Sequence, residues 1–297
     1  MENYRANPEQ FVLENFEEQF KKKDIVEIDG KKIGVVDIKP QTPKTDVPVF
    51  ICPGWAENSS VFKKNILTMA ELGRETFFID SAHGINIKET KENTDNFPEA
   101  ELRKVEAFIK VLEEKNIDKI DAVAHSEGGI YLIIAAILYP EKFRNLVLVD
   151  PAGIIGKDSF IGLAKRFSAD LINETKRGIK EPNIIGPIIK KTYEAAKAII
   201  ANPKRSMDEV FAIAKTQTED LLKELKEKGI GISIIHAVDD KAFPIDNVQE
   251  NITKDDVNGF YSVKGTHNEI ILNPEKYTKL VDFALTAMEE KDAKNSN

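Results

Sequence analysis

The chain has 297 residues, 41% hydrophobic and 31% charged, which is typical of a globular protein with one α/β domain and an insertion, or with two small domains. Its formal net charge of −8 argues against nucleic acid as a main partner, because phosphate binding needs a basic face. A single cysteine, Cys52, excludes an internal disulfide framework and predicts a reducing, cytoplasmic compartment.

Neither a membrane anchor nor a secretory signal is predicted. No apolar run approaches the ~18 residues that a spanning helix needs, so we expect no integral membrane segment. The first residues, MENYRANPEQ, contain two acids and no apolar stretch of the kind that secretory signals carry. We therefore expect a soluble protein.

Strand-like and helix-like segments alternate along most of the chain. Short apolar runs bounded by turn residues predict strands at 24–29, 32–38, 47–52, 75–80, 119–125, 145–150, 231–238 and 258–263. Amphipathic periodicity predicts helices at 8–22, 60–72, 97–115, 127–138 and 274–290. The first two strands flank Gly30 as a hairpin, and the later alternation predicts an α/β fold with a mostly parallel central sheet and helices on both faces.

A long segment interrupts this alternation, because residues 154–229 contain no convincing strand. It reads as three helices, near 158–175, 187–201 and 206–228. The last helix has an apolar face of Met207, Val210, Phe211, Ala214, Leu221, Leu222 and Leu225. We therefore expect that a helical insertion, either a lid over the carboxyl ends of the strands or an extra packing layer, divides a core of residues 1–153 and 230–297.

The stretch AVAHSEGG places Ser126 between a predicted strand and a predicted helix. The carboxyl end of a parallel strand is where such sheets bind ligands. A sharp turn there exposes the hydroxyl and brings the backbone close, so it needs small neighbours, which Ala124 and Gly128 provide. The helix N-terminus would supply N–H groups for a developing oxyanion. The motif alone fits equally well a serine that caps an ordinary helix.

With this motif the chain resembles the α/β-hydrolase superfamily, as a serine esterase- or lipase-like member with a helical cap, over about residues 24–290. The stretch FICPGWAENSS resembles the family's turn at the oxyanion hole. Pro53 stands where histidine is common, so this match rests on Gly54 and Trp55. The resemblance implies that the backbone N–H groups of Trp55 and Glu127 are the two oxyanion donors.

Two later stretches resemble the family's acid and histidine loops, in the family's chain order. In IIHAVDDKAFP, counting back four residues from Pro244 gives Asp240 as the acid. Asp239 and Asp150 stay as alternatives, the second because some members carry the acid on the earlier strand. YSVKGTHNEIILNPEKY resembles the histidine loop, which implies that His267 is a general base and that Asp240 orients it.

The other histidines and the cysteine are interpreted as structural. His125 is expected to pack or hydrogen-bond beneath Ser126, His236 to be a satisfied core histidine, and Cys52 to be inert. His83 lies in a loop from which it could touch the pocket. No Cys, His or carboxylate pair has metal-ligand spacing and no glycine-rich phosphate loop is present, so neither a metal nor a cofactor is predicted.

A serine at this turn indicates acyl chemistry, because family members that open epoxides or displace halide carry an aspartate there. The resemblance implies a hydrolase that cleaves a carboxylic ester through a Ser126–His267–Asp240 triad and an acyl-enzyme intermediate. Isoleucine and phenylalanine clusters in the insertion favour a small-molecule substrate with an apolar acyl or aryl group. Two alternatives stay open: a C–C bond hydrolase with the same triad, and a non-catalytic binding protein of this fold.

Overall fold

The computed structural model describes four stretches of the chain, residues 8–28, 30–80, 96–156 and 158–295. Their strands form one eight-stranded sheet, made of β1 (Asp24–Ile28), β2 (Lys31–Ile38), β3 (Val49–Cys52), β4 (Thr76–Asp80), β5 (Ile120–His125), β6 (Phe143–Val149), β7 (Gly231–Ala237) and β8 (Gly259–Val263). The spatial order is β1-β2-β4-β3-β5-β6-β7-β8. β2 is antiparallel to both of its neighbours, and every other pair is parallel.

The central strands are covered on both faces. Every residue of β3, β5 and β7 is buried. Strands buried on both faces have continuous apolar runs rather than alternating ones, which is why VFIC and IDAVAH could be recognised as strands. The predicted fold class, a mostly parallel sheet with helices on both faces, is confirmed.

The helices of the described residues are α1 (Pro8–Lys21), α2 (Ser59–Glu71), α3 (Glu99–Glu114), α4 (Gly128–Leu138), α5 (Phe160–Lys180), α6 (Ile185–Ala201), α7 (Pro203–Lys215), α8 (Glu219–Glu227), α9 (Ile245–Asn251), α10 (Glu269–Leu272) and α11 (Pro274–Asn295). One apolar core lies between the sheet and α3, α4 and α8. A second core lies between the opposite face and α1, α2 and α11. In the part of the chain that is described, no helix combines the length and apolarity needed to cross a membrane.

The predicted count of three helices between β6 and β7 is wrong, since the structure has four, α5 to α8. The helix expected at 206–228 ends at Lys215 and restarts at Glu219. The chain breaks there because Thr218 turns back to the core, where its N–H donates to the carbonyl of Gly153 at 2.7 Å and its hydroxyl donates to the same oxygen at 3.1 Å.

This break divides the predicted apolar face between two surroundings. α8 packs on α4 and β7, and it buries Leu222 and Leu225 in the sheet core. α7 packs instead on α3, α5 and α6, and its Met207 and Phe211 keep 44% and 40% of their surface exposed. The single stripe expected from the sequence is therefore two shorter stripes with different partners.

Candidate active site

Ser126 lies in the tight turn between β5 and α4, where the sequence predicts it. Its backbone φ is 54°, in the left-handed region that residues other than glycine seldom occupy. A Cβ atom at Gly128 would lie 2.6 Å from the carbonyl oxygen of Pro53 and 2.7 Å from that of Cys52, so the turn requires a glycine there. The Ser126 N–H donates to the carbonyl of Val149 at 3.1 Å, which ties the turn to β6. Backbone strain held in this way is typical of functional sites.

A chain of hydrogen bonds joins Ser126 to the two other residues of the predicted triad. His267 Nε2 lies 3.0 Å from Ser126 Oγ, and His267 Nδ1 lies 2.8 Å from Asp240 Oδ2. The second oxygen of Asp240 accepts from the N–H of Phe243 at 2.8 Å, which fixes the carboxylate plane. The three side chains, which are far apart in sequence, thus meet at the carboxyl end of the sheet with the geometry of a nucleophile, a base and an orienting acid.

The two alternative acids lie elsewhere. Asp239 is exposed to solvent. Asp150 is buried at the end of β6, and its Oδ1 accepts from the N–H of Ala237 at 2.7 Å rather than from His267. Burial, together with the neighbouring carboxylate of Asp240, raises the pKa of Asp150 well above its ordinary value. The structure therefore brings Asp240 to His267, and neither alternative.

The imidazole of His267 is enclosed by aromatic rings. Phe167 and Phe243 present their edges to it, with ring centroids at 5.3 and 5.1 Å. His267 is fully buried, and this burial lowers its pKa below the ordinary value although the carboxylate of Asp240 acts in the opposite direction. The neutral imidazole whose Nδ1–H donates to Asp240 is the form that can accept a proton from Ser126 at Nε2.

The predicted oxyanion residues lie beside Ser126. A Cβ atom at Gly54 would come within 3.0 Å of the Ser126 Cβ, so the loop after β3 approaches the turn as closely as glycine permits. Among the described residues, the backbone N–H groups of Trp55 and Glu127 donate no backbone hydrogen bond of a turn, loop or helix cap. Two N–H groups next to a serine hydroxyl are what a developing oxyanion requires.

A buried pair of residues beneath the site was not predicted as such. Glu57 Oε2 accepts from the Gly54 N–H at 2.7 Å and lies 2.9 Å from His125 Nδ1. The other nitrogen of His125 lies 3.0 Å from the carbonyl oxygen of His267. Both ring nitrogens of His125 therefore lie within hydrogen-bonding distance of an oxygen atom. His125 thus lies beneath the turn, as expected, and connects the oxyanion loop to the histidine loop.

Lys191 of α6, which is half-buried, contacts this buried pair. Its Nζ lies 3.2 Å from Glu57 Oε1. Burial alone would raise the pKa of Glu57, but the charges of His125 and Lys191 bring it down to about 2. Glu57 is therefore ionised at all ordinary pH values, and it links α6 to the loop that carries the Trp55 N–H.

A second buried charged group surrounds the side chain of Glu127. Its carboxylate contacts Lys104 of α3, and Glu101 and Glu209 lie close by. Burial raises the pKa of Glu127 to about 8, although Lys104 opposes the shift. The indole Nε1 of Trp55 donates to Glu209 Oε2 at 3.0 Å, so α7 also reaches the oxyanion loop.

Helix α5 is attached to the histidine loop by a further set of polar contacts. Glu174 Oε1 accepts from the Thr266 hydroxyl at 3.0 Å and from the Asn268 amide at 2.8 Å. One turn later, Arg177 donates two hydrogen bonds to Glu269, in a bidentate ion pair. The helices between β6 and β7 therefore contact each loop that carries a predicted site residue.

The helices α5, α6 and α7 cover a cavity of about 330 Å³, and Ser126 is among the residues that line it. Most of its wall is apolar, with Leu163 and Phe167 of α5, Ile188 of α6 and Ile213 of α7 among the lining residues. The polar lining residues, besides Ser126, are Glu57, Ser168, Glu174, Lys191, Thr192 and Asn268. An apolar cavity with a small number of placed polar groups is the usual form of a small-molecule site.

One group of side chains has the spacing of metal ligands. Ligand atoms of Asp150, His236 and Asp240 all lie within 4.8 Å of one another. The donor set fits a metal poorly, because both oxygens of Asp240 already accept hydrogen bonds and His236 Nε2 lies 2.8 Å from the carbonyl of Phe243. Burial also lowers the pKa of His236, which favours the neutral ring. The absence of a metal stays a prediction.

Cys52 is buried in β3, and burial raises the pKa of its thiol to about 12, which agrees with an inert side chain. His83 lies outside the described residues.

Comparison with known proteins agrees with this architecture. The family model described as alpha/beta hydrolase fold matches residues 47–187. A putative non-heme haloperoxidase of Mycobacterium phage D29 is 24% identical over 280 residues, which cover 89% of this chain and 95% of the phage protein.

Solved structures show the same fold at lower sequence identity. A bromoperoxidase from Bacillus anthracis has a TM-score of 0.64 at 16% identity and covers 89% of this chain and all of that one. A carboxylesterase structure from the thaumarchaeon Nitrososphaera gargenis has a TM-score of 0.63 at 13% identity, over 90% of this chain and 100% of that one. With the sheet order and the turn at Ser126, these likenesses confirm the resemblance seen in the sequence: the chain has the α/β-hydrolase fold.

Proposed function

We propose that this protein is a serine hydrolase that cleaves a carboxylic ester bond, with Ser126, His267 and Asp240 as its catalytic triad. The observation that carries the proposal is the continuous hydrogen-bonded chain from Ser126 Oγ through His267 to Asp240, at 3.0 and 2.8 Å. It lies at the floor of an apolar cavity, where a bound acyl group would be within reach of the hydroxyl.

The proposed reaction has two stages. His267 Nε2 takes the hydroxyl proton while Ser126 Oγ attacks the ester carbonyl, and the oxyanion is bound by the N–H groups of Trp55 and Glu127. The ester C–O bond then breaks, the alcohol leaves with the proton from His267, and an acyl-Ser126 ester remains. A water molecule then gives a proton to His267 while its oxygen attacks the acyl carbon. The bond between this carbon and Ser126 Oγ breaks, His267 returns the proton to Ser126 Oγ, and the carboxylic acid leaves.

The helices above the cavity are proposed to select the acyl group, as the cap of the enzyme. Residues 154–229 were expected to form this cap as one unit, but α8 packs on α4 and β7, so we assign the role to α5, α6 and α7. These three helices provide thirteen of the nineteen residues that line the cavity, and nine of the thirteen are apolar. The proposal that α5, α6 and α7 select the acyl group is based on these lining residues.

We expect turnover to depend on acyl chain length. Each methylene buried in an apolar site contributes roughly 0.8 kcal/mol, so lengthening the acyl chain by two carbons should raise kcat/KM by about tenfold while space remains. The measurement is kcat/KM on a series of p-nitrophenyl esters from acetyl to medium chains. The rate should rise and then fall once the cavity is filled.

A pair of neighbouring alanines on α6 offers a matched control. Ala195 lines the cavity, whereas Ala196 is exposed to solvent. Ala195→Phe should move the optimum to shorter chains, and Ala196→Phe should leave it unchanged. If Ala195→Phe keeps the parent preference, the cavity under α5, α6 and α7 does not hold the acyl group.

The pH dependence of kcat/KM should show a single acid limb. His267 must be neutral to accept the proton, and burial holds its pKa below the ordinary value of about 6.5. Activity is therefore expected to be lost as pH falls through this lowered pKa and to stay level around neutrality. Steady-state rates on p-nitrophenyl acetate across this range provide the test. A profile without an acid limb, or a limb centred above neutrality, would contradict the role of His267.

The name of one relative, a putative haloperoxidase, makes peroxide-dependent bromide oxidation the second activity to assay. A diketone substrate tests the C–C bond hydrolase alternative in the same series. If the protein is an ester hydrolase, its kcat/KM should be highest on esters. A higher kcat/KM for bromide oxidation or for the diketone would contradict the ester proposal.

A further inference from the structure

The exposed apolar side chains of the described residues are concentrated on three helices. Eleven of the fifteen large ones belong to α5, α6 and α7. Ile179 and Ile200 are the most prominent, with 76% and 79% of their surface exposed. Single exposed apolar residues are ordinary on any protein, but a cluster of this extent indicates an interaction surface.

The cluster follows the period of the helices. Exposed isoleucines recur every three to four residues, or at multiples of that spacing, along α5 and α6, at Ile161, Ile172, Ile179, Ile185, Ile189 and Ile200. The two helices contact each other, and both line the cavity above Ser126. We call the surface formed by these six isoleucines and the exposed lysines of the two helices the α5–α6 face.

The polar residues within the α5–α6 face are mainly basic. Lys165 and Lys176 lie in the same stripe as the isoleucines of α5, and Lys180 follows at its end. None of these three lysines makes an ion pair with a described residue. Over residues 160–215 there are eleven Lys and Arg against six Asp and Glu, whereas the whole chain has 42 against 50. Residues 160–215 thus carry five more basic than acidic residues, in a chain whose net charge is −8.

We propose that the α5–α6 face docks on an anionic lipid surface, with the isoleucines among the upper acyl chains and the lysines at the headgroups. Apolar stripes edged by lysine are the pattern that binds such a surface. A second copy of the chain fits less well, because two-fold pairing would set lysines against lysines. Nucleic acid would leave the exposed isoleucines without partners.

The position of the cavity mouth gives this docking a consequence, which rests on the proposed function. Ser168 and Leu171 of α5 and Thr192 of α6 line the cavity and are also exposed, so the cavity opens within the α5–α6 face. An apolar ester dissolved in a docked lipid surface would enter the cavity without crossing water. The substrate class is then an ester that partitions into lipid.

Sedimentation with vesicles tests the docking apart from catalysis. The Ser126→Ala protein is used, so that no lipid ester is cleaved, with phosphatidylcholine vesicles that contain or lack phosphatidylglycerol. Binding is expected only with the anionic lipid, and it should weaken as salt is added. Lys176→Glu/Lys180→Glu should lower the partition coefficient about twentyfold or more, and Ile172→Ser/Ile189→Ser should lower it severalfold.

Matched controls carry the same changes on other surfaces. Lys119→Glu/Lys223→Glu alters the charge equally, and Ile25→Ser/Phe283→Ser removes two side chains with 59% and 57% exposure. Both controls should bind like the parent. The proposal is overturned if the parent ignores anionic vesicles, or if the controls lose binding as much as the variants of the α5–α6 face do.

Two further readouts separate the possible failures. If size-exclusion chromatography shows a dimer that Ile172→Ser/Ile189→Ser dissociates, the face is an interface between copies and the lipid proposal is wrong. Turnover of the water-soluble p-nitrophenyl acetate by the parent protein, which keeps Ser126, measures ester hydrolysis independently of vesicle binding. A protein that cleaves this ester but does not bind vesicles contradicts docking only, and a protein that binds vesicles but cleaves no ester contradicts the proposed function only.

Discussion

Replacing Ser126 by alanine is expected to lower kcat for ester hydrolysis by about 10⁶, the loss seen when a triad hydrolase loses its nucleophile. The hydroxyl oxygen is the atom that would form the acyl-enzyme, and no other hydroxyl lies at the hydrogen-bonding position of His267 Nε2 in the described site. The backbone φ of 54° is equally open to alanine and serine, so the fold should be retained. Steady-state turnover and circular dichroism check both statements.

Ser168 provides the matched control for this change. Its side chain also lines the cavity, but its hydroxyl donates to the Ala164 carbonyl within α5 at 2.8 Å. Ser168→Ala should keep a rate close to that of the parent. A fluorophosphonate probe should label the parent on the peptide that contains Ser126, and it should not label Ser126→Ala. Undiminished turnover, or labelling of another serine, would remove Ser126 from the proposed mechanism.

The parts of the molecule that local sequence determines were predictable. An apolar run such as IDAVAH becomes a strand because both faces of the sheet are covered, and the run is visible without any partner. The turn at Ser126 was predictable from the small residues around it, Ala124 and Gly128. The structure gives the reason for the glycine, because the carbonyls of Pro53 and Cys52 leave no room for a Cβ atom at position 128. The resemblance to the family's acid and histidine loops then implied Asp240 and His267, with Asp239 and Asp150 as alternative acids.

The break between α7 and α8 was not predictable from periodicity. Apolar residues continue at helical spacing from Val210 to Leu225, so the sequence reads as one helix. The interruption comes from the hydrogen bonds of Thr218 to Gly153, which lies 65 residues earlier in the chain. A contact at that separation leaves no mark on the local pattern.

The polar residues that support the site were missed for the same physical reason. Glu57 reads as an ordinary turn acid in PGWAENSS, and its partner His125 lies 68 residues away. Lys191 comes from a third segment and reads as a solvated helix lysine. Only the fold reveals that the three side chains lie together, with Glu57 and His125 buried and Lys191 half-buried. The loss of a partner of the buried Glu57 carboxylate should therefore cost more than the loss of a surface charge.

The identity of the orienting acid gives the second large prediction. Asp240→Asn should keep the size of the side chain but present an amide to His267 Nδ1, which favours the wrong imidazole tautomer. In a serine protease this change lowers turnover by about 10⁴. The carboxylate of Asp240 is also the group that stabilises the imidazolium formed during proton transfer. Measuring kcat with p-nitrophenyl acetate gives the size of the loss.

The two alternative acids make this prediction discriminating, because each can be changed in the same isosteric way. Asp150 accepts from the Ala237 N–H through its Oδ1, a hydrogen bond that the amide oxygen of asparagine can keep. Asp150→Asn should therefore cost far less than Asp240→Asn, and Asp239→Asn, at an exposed position, should have almost no effect. If Asp150→Asn proves the more damaging change, the hydrogen bond at 2.8 Å between Asp240 and His267 does not identify the catalytic acid, and the acid belongs to β6.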